Sequence, residues 1–314
     1  MSIPEPPVTP RAERIATQCV CCRSENLKSS PAVLMPFVSH RAFGWEPVVI
    51  DDSWGLTTIK QGTSYSVCRT LYCDDCGFLF LDMRFSDREL GNLYRDYRGP
   101  EYSALREHYE PGYTERNNRL NSGIAYIQEI ENFLRPHLSF PLTVLDWGGD
   151  TGKNTPFKSE CESFDIYEIS SKDVIAGGRL VSIEQAQAAK YKLVVCSNVL
   201  EHVPYPGQLL SEITKTMAEQ SVLYIEVPFE EIMQNSQADV YLRKRHWHEH
   251  INFYSERSLR SLLRDVGLEV VDLRQLKATA GGSASVLFQV ACRLKSNDQD
   301  NGTSASGDAR NRGN

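Results

Sequence analysis

The chain reads as an α/β protein in which a mostly parallel sheet follows a small β-rich module. Three observations carry that reading. From Leu142 onward, short apolar runs alternate with helix-length segments, as strand–helix–strand crossovers require. The first of those runs ends in an acid, Asp146, and a loop holding Gly148, Gly149 and Gly152 follows at once, where backbone without Cβ atoms can approach a ligand closely. Ahead of the sheet, two Cys-x-x-Cys pairs lie among short alternating segments.

Bulk properties narrow the function. With 314 residues, 41% of them hydrophobic and 10% aromatic, there is enough apolar side chain for one large domain and a small one. A net charge of −7 and a pI of about 5.6 argue against a general nucleic-acid binder, which needs a basic surface to neutralise phosphates. No apolar run approaches the roughly 20 residues of a membrane span, and the N-terminus has no apolar signal core. The cytoplasm is therefore the expected compartment, and nine cysteines there point to metal ligation or free thiols rather than a disulfide framework.

Residues 1–16 carry Pro4, Pro6, Pro7 and Pro10 among polar residues and read as a disordered lead-in. A zinc-binding module is expected over 17–95. Cys19 and Cys22 form one pair, Cys73 and Cys76 the other, and Gly77 follows the second; four thiolates suit a closed, structural tetrahedral zinc site. Cys21 and Cys68 are rival ligands or bystanders. Between the pairs, the stretches at 47–55 and 64–73 read as short strands, and 77–84 as another. Ser86, with Glu89 three residues on, signals a helix start.

A helical connector is expected over 96–138. Tyr94, Tyr97, Arg98, Tyr102, Arg106, Tyr109 and Tyr113 form either a binding rim or packing between modules. Residues 114–137 have helical periodicity, with Pro136 as the stop.

The main domain is expected over 139–295, with a disordered tail at 296–314. Asp146, Gly148 and Gly152 lack both the Lys-Ser/Thr of a phosphate loop and the Gly-x-Gly-x-x-Gly of a dinucleotide site. They resemble the first motif of class I S-adenosylmethionine-dependent methyltransferases, with Asp150 standing where that family often has another glycine. Phe164 to Ser170 is the second strand, and its Glu168 can accept both ribose hydroxyls. A third strand is expected at 179–186. Residues 192–206 are similar to the family's fourth-strand motif: an apolar strand to Cys196, a polar turn at Ser197 and Asn198, and a helix beginning with Val199 to Val203. Residues 221–230 match the fifth strand, 251–271 read as turn, helix and strand, and 283–294 as the last strand. The resemblance implies a Rossmann-like sheet with S-adenosylmethionine held by Asp146, Gly148, Gly149, Gly152, Glu168 and Asn198.

Trp247-His248-Glu249-His250 resembles the Tyr-His-Glu-His of bacterial sugar C-methyltransferases, which also carry an N-terminal two-knuckle zinc module, so that the resemblance covers roughly residues 17–293. Carried over by position, His250 is the general base, Glu249 orients it or a substrate hydroxyl, and Trp247 replaces the tyrosine. Histidine suits the role because its ordinary pKa lies near neutrality. Other readings give His248 and His250 to a metal, leave His202 structural or catalytic, and let Arg243, Lys244 and Arg245 hold a diphosphate. Those enzymes continue into a further C-terminal domain, which this sequence is expected to lack, and O-methylation becomes a rival to C-methylation.

The reading is an S-adenosylmethionine-dependent methyltransferase with structural zinc, acting on a small-molecule or carbohydrate acceptor, with no nucleic-acid partner and no membrane span. Asp150 and Trp247 feed a second reading, a zinc-dependent interaction module whose methyltransferase-like domain binds cofactor without chemistry.

Overall fold

Two sheets share one chain, and the second half of the chain completes the first sheet. The computed structural model describes residues 14–46, 49–55, 62, 68–121, 123–161, 163–170, 172–235, 239–280 and 283–295. The N-terminal half holds β1 (Leu27–Leu34), α1 (Pro36–Phe43), β2 (Cys68–Cys73), β3 (Leu79–Leu81), α2 (Asp87–Tyr94), α3 (Pro100–Tyr109), α4 (Tyr113–Asn121) and α5 (Ile127–Leu134). The C-terminal half holds β4 (Val144–Trp147), β5 (Phe164–Tyr167), β6 (Gly178–Leu180), α6 (Ile183–Ala188), β7 (Tyr191–Ser197), α7 (Pro206–Thr214) and β8 (Met217–Pro228). It continues with α8 (Glu231–Gln234), α9 (Val240–Arg243), β9 (His246–Trp247), β10 (Asn252–Phe253), α10 (Glu256–Asp265), β11 (Leu268–Ala280) and β12 (Ser283–Leu294).

The large sheet runs β11-β12-β8-β7-β4-β5-β6, with β8 through β6 parallel and the β12 and β11 hairpin antiparallel. Strand order reverses between β4 and β7, and ligands in open α/β sheets bind at such a switch point. Val144 and Leu145 of β4 and Leu193, Val194 and Val195 of β7 are buried, as strands covered on both faces require. The small sheet runs β10-β3-β2-β1-β9. Its two edge strands come from 246–253, nearly 170 residues after β3. A few hydrogen bonds lock this union. Fully buried Arg84 donates to the Pro204 carbonyl and to Asn252 Oδ1, both at 3.0 Å, and Asn252 Nδ2 donates to the Leu200 and Val203 carbonyls at 2.8 and 2.6 Å.

Several local readings change. Residues 49–55 hold a single 3-10 turn, Asp52–Trp54, in place of a strand, because the Asp51 carboxylate accepts from the Ser53 backbone at 2.9 Å and tightens the chain; residues 47, 48 and 64–67 lie outside the described set, as do residues 1–13 and 296–314. Arg14–Ala16, expected in the lead-in, are tied down: Ile15 bridges Met83 and the Ala16 N–H donates to the Asp82 carbonyl at 2.8 Å. The helix expected over 114–137 is two helices, interrupted around Gly123. Val199–Val203 form a turn rather than a helix, since the flanking Pro204 and Pro206 postpone the helix to α7. The third strand stops at Leu180 because Ser182 and Gln185 form a reciprocal cap that starts α6. The cap at Ser86 and Glu89 forms as the sequence indicates.

The tyrosine-rich stretch is mainly packing. Tyr102 is fully buried, Tyr113 nearly so, and the Arg106 guanidinium lies 4.8 Å from the centre of the Phe37 ring and 4.9 Å from that of Tyr113. Arg106 Nη1 also pairs with Glu249 at 2.5 Å, and Tyr102 donates to the same carboxylate. Burial alone would push the Glu249 pKa up, but the neighbouring Arg106 charge and these hydrogen bonds pull it down to about 2. Arg106→Met would leave that charge buried without its partner, so chemical denaturation should register a loss of about 3–5 kcal/mol. A loss within about 0.5 kcal/mol, the range of an ordinary surface change, would contradict the pinning role.

Candidate active site

The loop after β4 is shaped by packing as much as by any ligand. Gly148 and Gly152 have φ of +77° and +78°, and a Cβ there would stand 2.6 Å from Val199 Cγ2 and 2.5 Å from Ile166 Cδ1. A Cβ on Gly149 would meet the Asp146 carboxyl at 2.5 Å. Asp146 itself is buried and accepts from Thr155 Oγ1 at 2.5 Å; burial pushes its pKa up to about 6. Asp150 takes a left-handed φ of +52°, its N–H donates to Glu168 at 2.9 Å, and its carboxylate pairs with Lys172 Nζ at 2.7 Å.

Glu168 stands just past β5, and its carboxylate also accepts the N–H groups of Ile169 and Ser170 at 2.8 and 2.9 Å. Three of roughly four acceptor positions are thus occupied by backbone. Asn198 follows β7 at φ +54°, exposed, with Nδ2 3.1 Å from Glu226 Oε1. Glu226, which the sequence reading passed over, is fully buried at the end of β8 and gathers donors from Tyr126, Ser197, Asn198, Tyr224 and Gln289 at 2.6–3.1 Å. The six expected cofactor residues therefore lie along the ends of β4, β5 and β7, where the strand order reverses.

The 247–250 segment is laid out differently from the sequence picture. Trp247 is fully buried within the small module, its indole N–H donating to Thr70 Oγ1 at 2.8 Å, so it does not stand in for an active-site phenol. Lys244 lies over the Trp247 and Phe253 rings at 4.8 and 4.5 Å, where burial lowers its pKa to about 8, while Arg243 and Arg245 are exposed. A bend at Glu249 sends the neighbouring histidines apart. His248 Nδ1 lies 3.2 Å from Glu110, and His250 Nδ1 lies 2.8 Å from Glu230 Oε1. The carboxylate beside His250 is thus that of Glu230, and Glu249 is committed to Arg106. Burial pulls the His250 pKa down, but the hydrogen bond to Glu230 more than offsets it and the net direction is upward.

His250 packs edge-on against His202 with ring centres 4.7 Å apart. His202 sits in the turn after β7, its Nδ1 2.8 Å from the Tyr94 hydroxyl and 3.2 Å from the Glu249 carbonyl. Burial and the charge of His250 lower its pKa to about 3. Glu201 beside it is 2% exposed, and burial raises its pKa to about 7. The sequence left no signal that Glu201 or Glu230 would converge on His250, because they lie 49 and 20 residues away from it.

In the small module the sulfurs of Cys19, Cys22, Cys73 and Cys76 lie within 4.8 Å of one another, with Cys19 to Cys76 at 3.5 Å and Cys22 to Cys73 at 3.6 Å. Each pair spans one tight turn, closed by Arg23 N–H to the Cys19 carbonyl and Gly77 N–H to the Cys73 carbonyl, both 2.8 Å. Cys68 stands apart, donating to the Ala32 carbonyl at 3.0 Å, and Cys21 is buried outside the four-sulfur group.

A family model described as a methyltransferase domain matches residues 115–273, from α4 into β11. No curated protein matches the chain. Solved structures similar to it include 1,6-didemethyltoxoflavin-N1-methyltransferase of Burkholderia thailandensis with bound 1,6-didemethyltoxoflavin and S-adenosylhomocysteine, 17% identical over 62% of this chain and 90% of that one, at a TM-score of 0.43. An S-adenosylmethionine-dependent methyltransferase of Anabaena variabilis is 13% identical over 58% and 93% of the two chains, at 0.40. A glycopeptide N-methyltransferase complexed with S-adenosylmethionine is 13% identical over 54% and 93%, at 0.41.

Gly148→Ala tests the loop directly. Left-handed backbone and the clash with Val199 should together lower stability by about 1–3 kcal/mol and weaken S-adenosylhomocysteine binding, read by thermal unfolding and calorimetric titration. Unchanged values in both would show that the turn does not need a glycine there.

Proposed function

Because this chain belongs to the methyltransferase-domain family, and is an S-adenosylmethionine-dependent methyltransferase, we propose that it methylates an oxygen or carbon of a sugar, nucleotide-sugar or glycan acceptor with His250 as general base. The observation that carries this is the pairing of His250 with Glu230, placed edge-on to His202 in the turn that follows β7. Support for a sugar acceptor comes from the resemblance of the 247–250 segment, together with a two-knuckle module, to sugar C-methyltransferases.

Asp146, Gly148, Gly149, Gly152, Glu168 and Asn198 would hold the cofactor, whose sulfonium supplies an already activated methyl group. The protein's work is then alignment of the acceptor and removal of its proton. With Nδ1 held by Glu230, the other ring nitrogen of His250 is the one free to take that proton. Glu249 fixes the segment by its pairing with Arg106.

The four clustered cysteines fit structural zinc. A tetrahedral ion with Zn–S bonds of about 2.3 Å places sulfurs about 3.8 Å apart, close to the spacings found. Four sulfur ligands leave no open position, so zinc would brace the fold without touching the acceptor. We assign 17–95 to the zinc-binding module, 96–138 to the helical connector and 139–295 to the cofactor-binding domain, in which β9 and β10 return to close the module's sheet.

Two outcomes check these assignments. His250→Ala should reduce turnover by about 10²–10⁴-fold while S-adenosylmethionine affinity changes by less than about twofold; equal loss of both would remove the base assignment. Elemental analysis should find about one zinc per chain in the parent protein and less in Cys76→Ser, which should also unfold at a lower temperature, whereas an equal metal content in the two would exclude Cys76 as a ligand.

A further inference from the structure

We propose that Glu201, His202 and His250 form a divalent-cation site beside the cofactor loop, distinct from the cysteine site. The three residues each aim one ligand atom into the same space, all within 4.8 Å of one another. Glu201 is 2% exposed, and neither of its carboxylate oxygens has a hydrogen-bond partner among the described residues. Its nearest ionic neighbour, His202 Nε2, is 3.8 Å away, too far for a hydrogen bond. A buried carboxylate left this way is costly, which makes the arrangement one that calls for a positive centre.

The outer partners say what that centre is. His202 Nδ1 lies 3.2 Å from the Glu249 carbonyl, which can only accept, and 2.8 Å from the Tyr94 hydroxyl, which can accept as well as donate, so a proton on Nδ1 serves both. The Glu230 carboxylate sets the same tautomer in neutral His250. In these tautomers each imidazole keeps a lone pair for a cation shared with Glu201. Two lone pairs and a carboxylate have nothing to donate to one another, and a cation satisfies all three at once. Histidine ligands held through their second nitrogen by a carbonyl or carboxylate are the usual outer arrangement of metal sites.

Two nitrogens and a carboxylate suit a first-row divalent ion and leave coordination positions open. This rests on the reading above for the acceptor and reassigns His250 from base to ligand: two open positions would fit an acceptor with two adjacent oxygens, a vicinal diol or an α-hydroxy ketone. The free nitrogen of His250 would then be a ligand rather than the base, and the cation would lower the pKa of a bound acceptor hydroxyl so that its proton passes to solvent water.

The test uses Mn2+ alone, which has little preference for thiolates, added to the purified full chain. Calorimetry should show one Mn2+ bound per chain, at least about tenfold more weakly in Glu201→Gln and in His202→Asn. Electron-spin-echo modulation of the bound Mn2+ should show coupling to histidine nitrogen, a readout that needs no variant to fold. Wild-type binding no tighter than in Glu201→Gln, or bound Mn2+ without nitrogen coupling, would overturn the site. S-adenosylmethionine titrated into the same samples separates the two failures. Cofactor binding without Mn2+ binding removes the cation and leaves His250 as base; nitrogen-coupled Mn2+ without cofactor binding keeps the cation site and removes the proposed chemistry.

Discussion

The buried pairing of Arg106 with Glu249 is the constraint on which the rest of the site depends. Taking both charges out of water costs several kcal/mol each, and only close, multiply hydrogen-bonded geometry offsets it. Here the guanidinium is also wedged between the Phe37 and Tyr113 rings, so α3 cannot shift without breaking an aromatic contact together with an ion pair. The chain bends at Glu249, and that bend delivers His250 to Glu230 and the Glu249 carbonyl to His202. An acid that the sequence offered as a partner for the base instead sets the geometry in which a different acid serves that histidine.

The small module is part of the site's wall rather than an appendage. Ser255 Oγ, at the start of α10, donates to the Cys76 carbonyl at 2.9 Å, and Arg257 reaches the Asp74 carbonyl at the same distance. Phe78 and Phe80 pack in one core with Tyr254, Leu200 and Leu259, and the Tyr254 hydroxyl donates to the Leu200 carbonyl at 2.9 Å. The turn bearing Glu201 and His202 is thereby attached to the cysteine knuckles through one residue of packing. Loosening the knuckles would loosen the turn, which couples the four-cysteine cluster to the His202 and His250 pair without any contact between them.

What was legible in the chain was what depends on local periodicity. The strands at 144–147, 164–167 and 283–294, the cap at Ser86 and the helix of 256–265 all follow from patterns within a dozen residues. The break between α4 and α5 was equally local, and a single glycine in a long periodic run was too weak a signal against the run itself. The return of 246–253 to a sheet begun at Leu27 was of another kind. Two-residue strands carry no alternation to detect, and their partners are set by tertiary packing. For the same reason Glu230 and Glu201 could not be found from sequence, and Trp247 was placed at the site when packing takes it into the module core.

Asp150 shows how a departure from a family pattern can be absorbed. A left-handed backbone at a non-glycine residue costs about 1–2 kcal/mol, least for Asp and Asn. Its N–H satisfies Glu168 and its carboxylate holds Lys172, whose ammonium lies 5.3 Å from the centre of the Tyr97 ring in the segment joining α2 to α3. Glycine could supply the turn and the N–H but neither the ion pair nor the link to Tyr97. Asp150 therefore ties the loop after β4 to the segment that leads into α3, the helix that carries Arg106, so that the loop, the bend at Glu249 and His250 are fixed relative to one another, and alignment of methyl donor and acceptor is what a methyltransferase must provide.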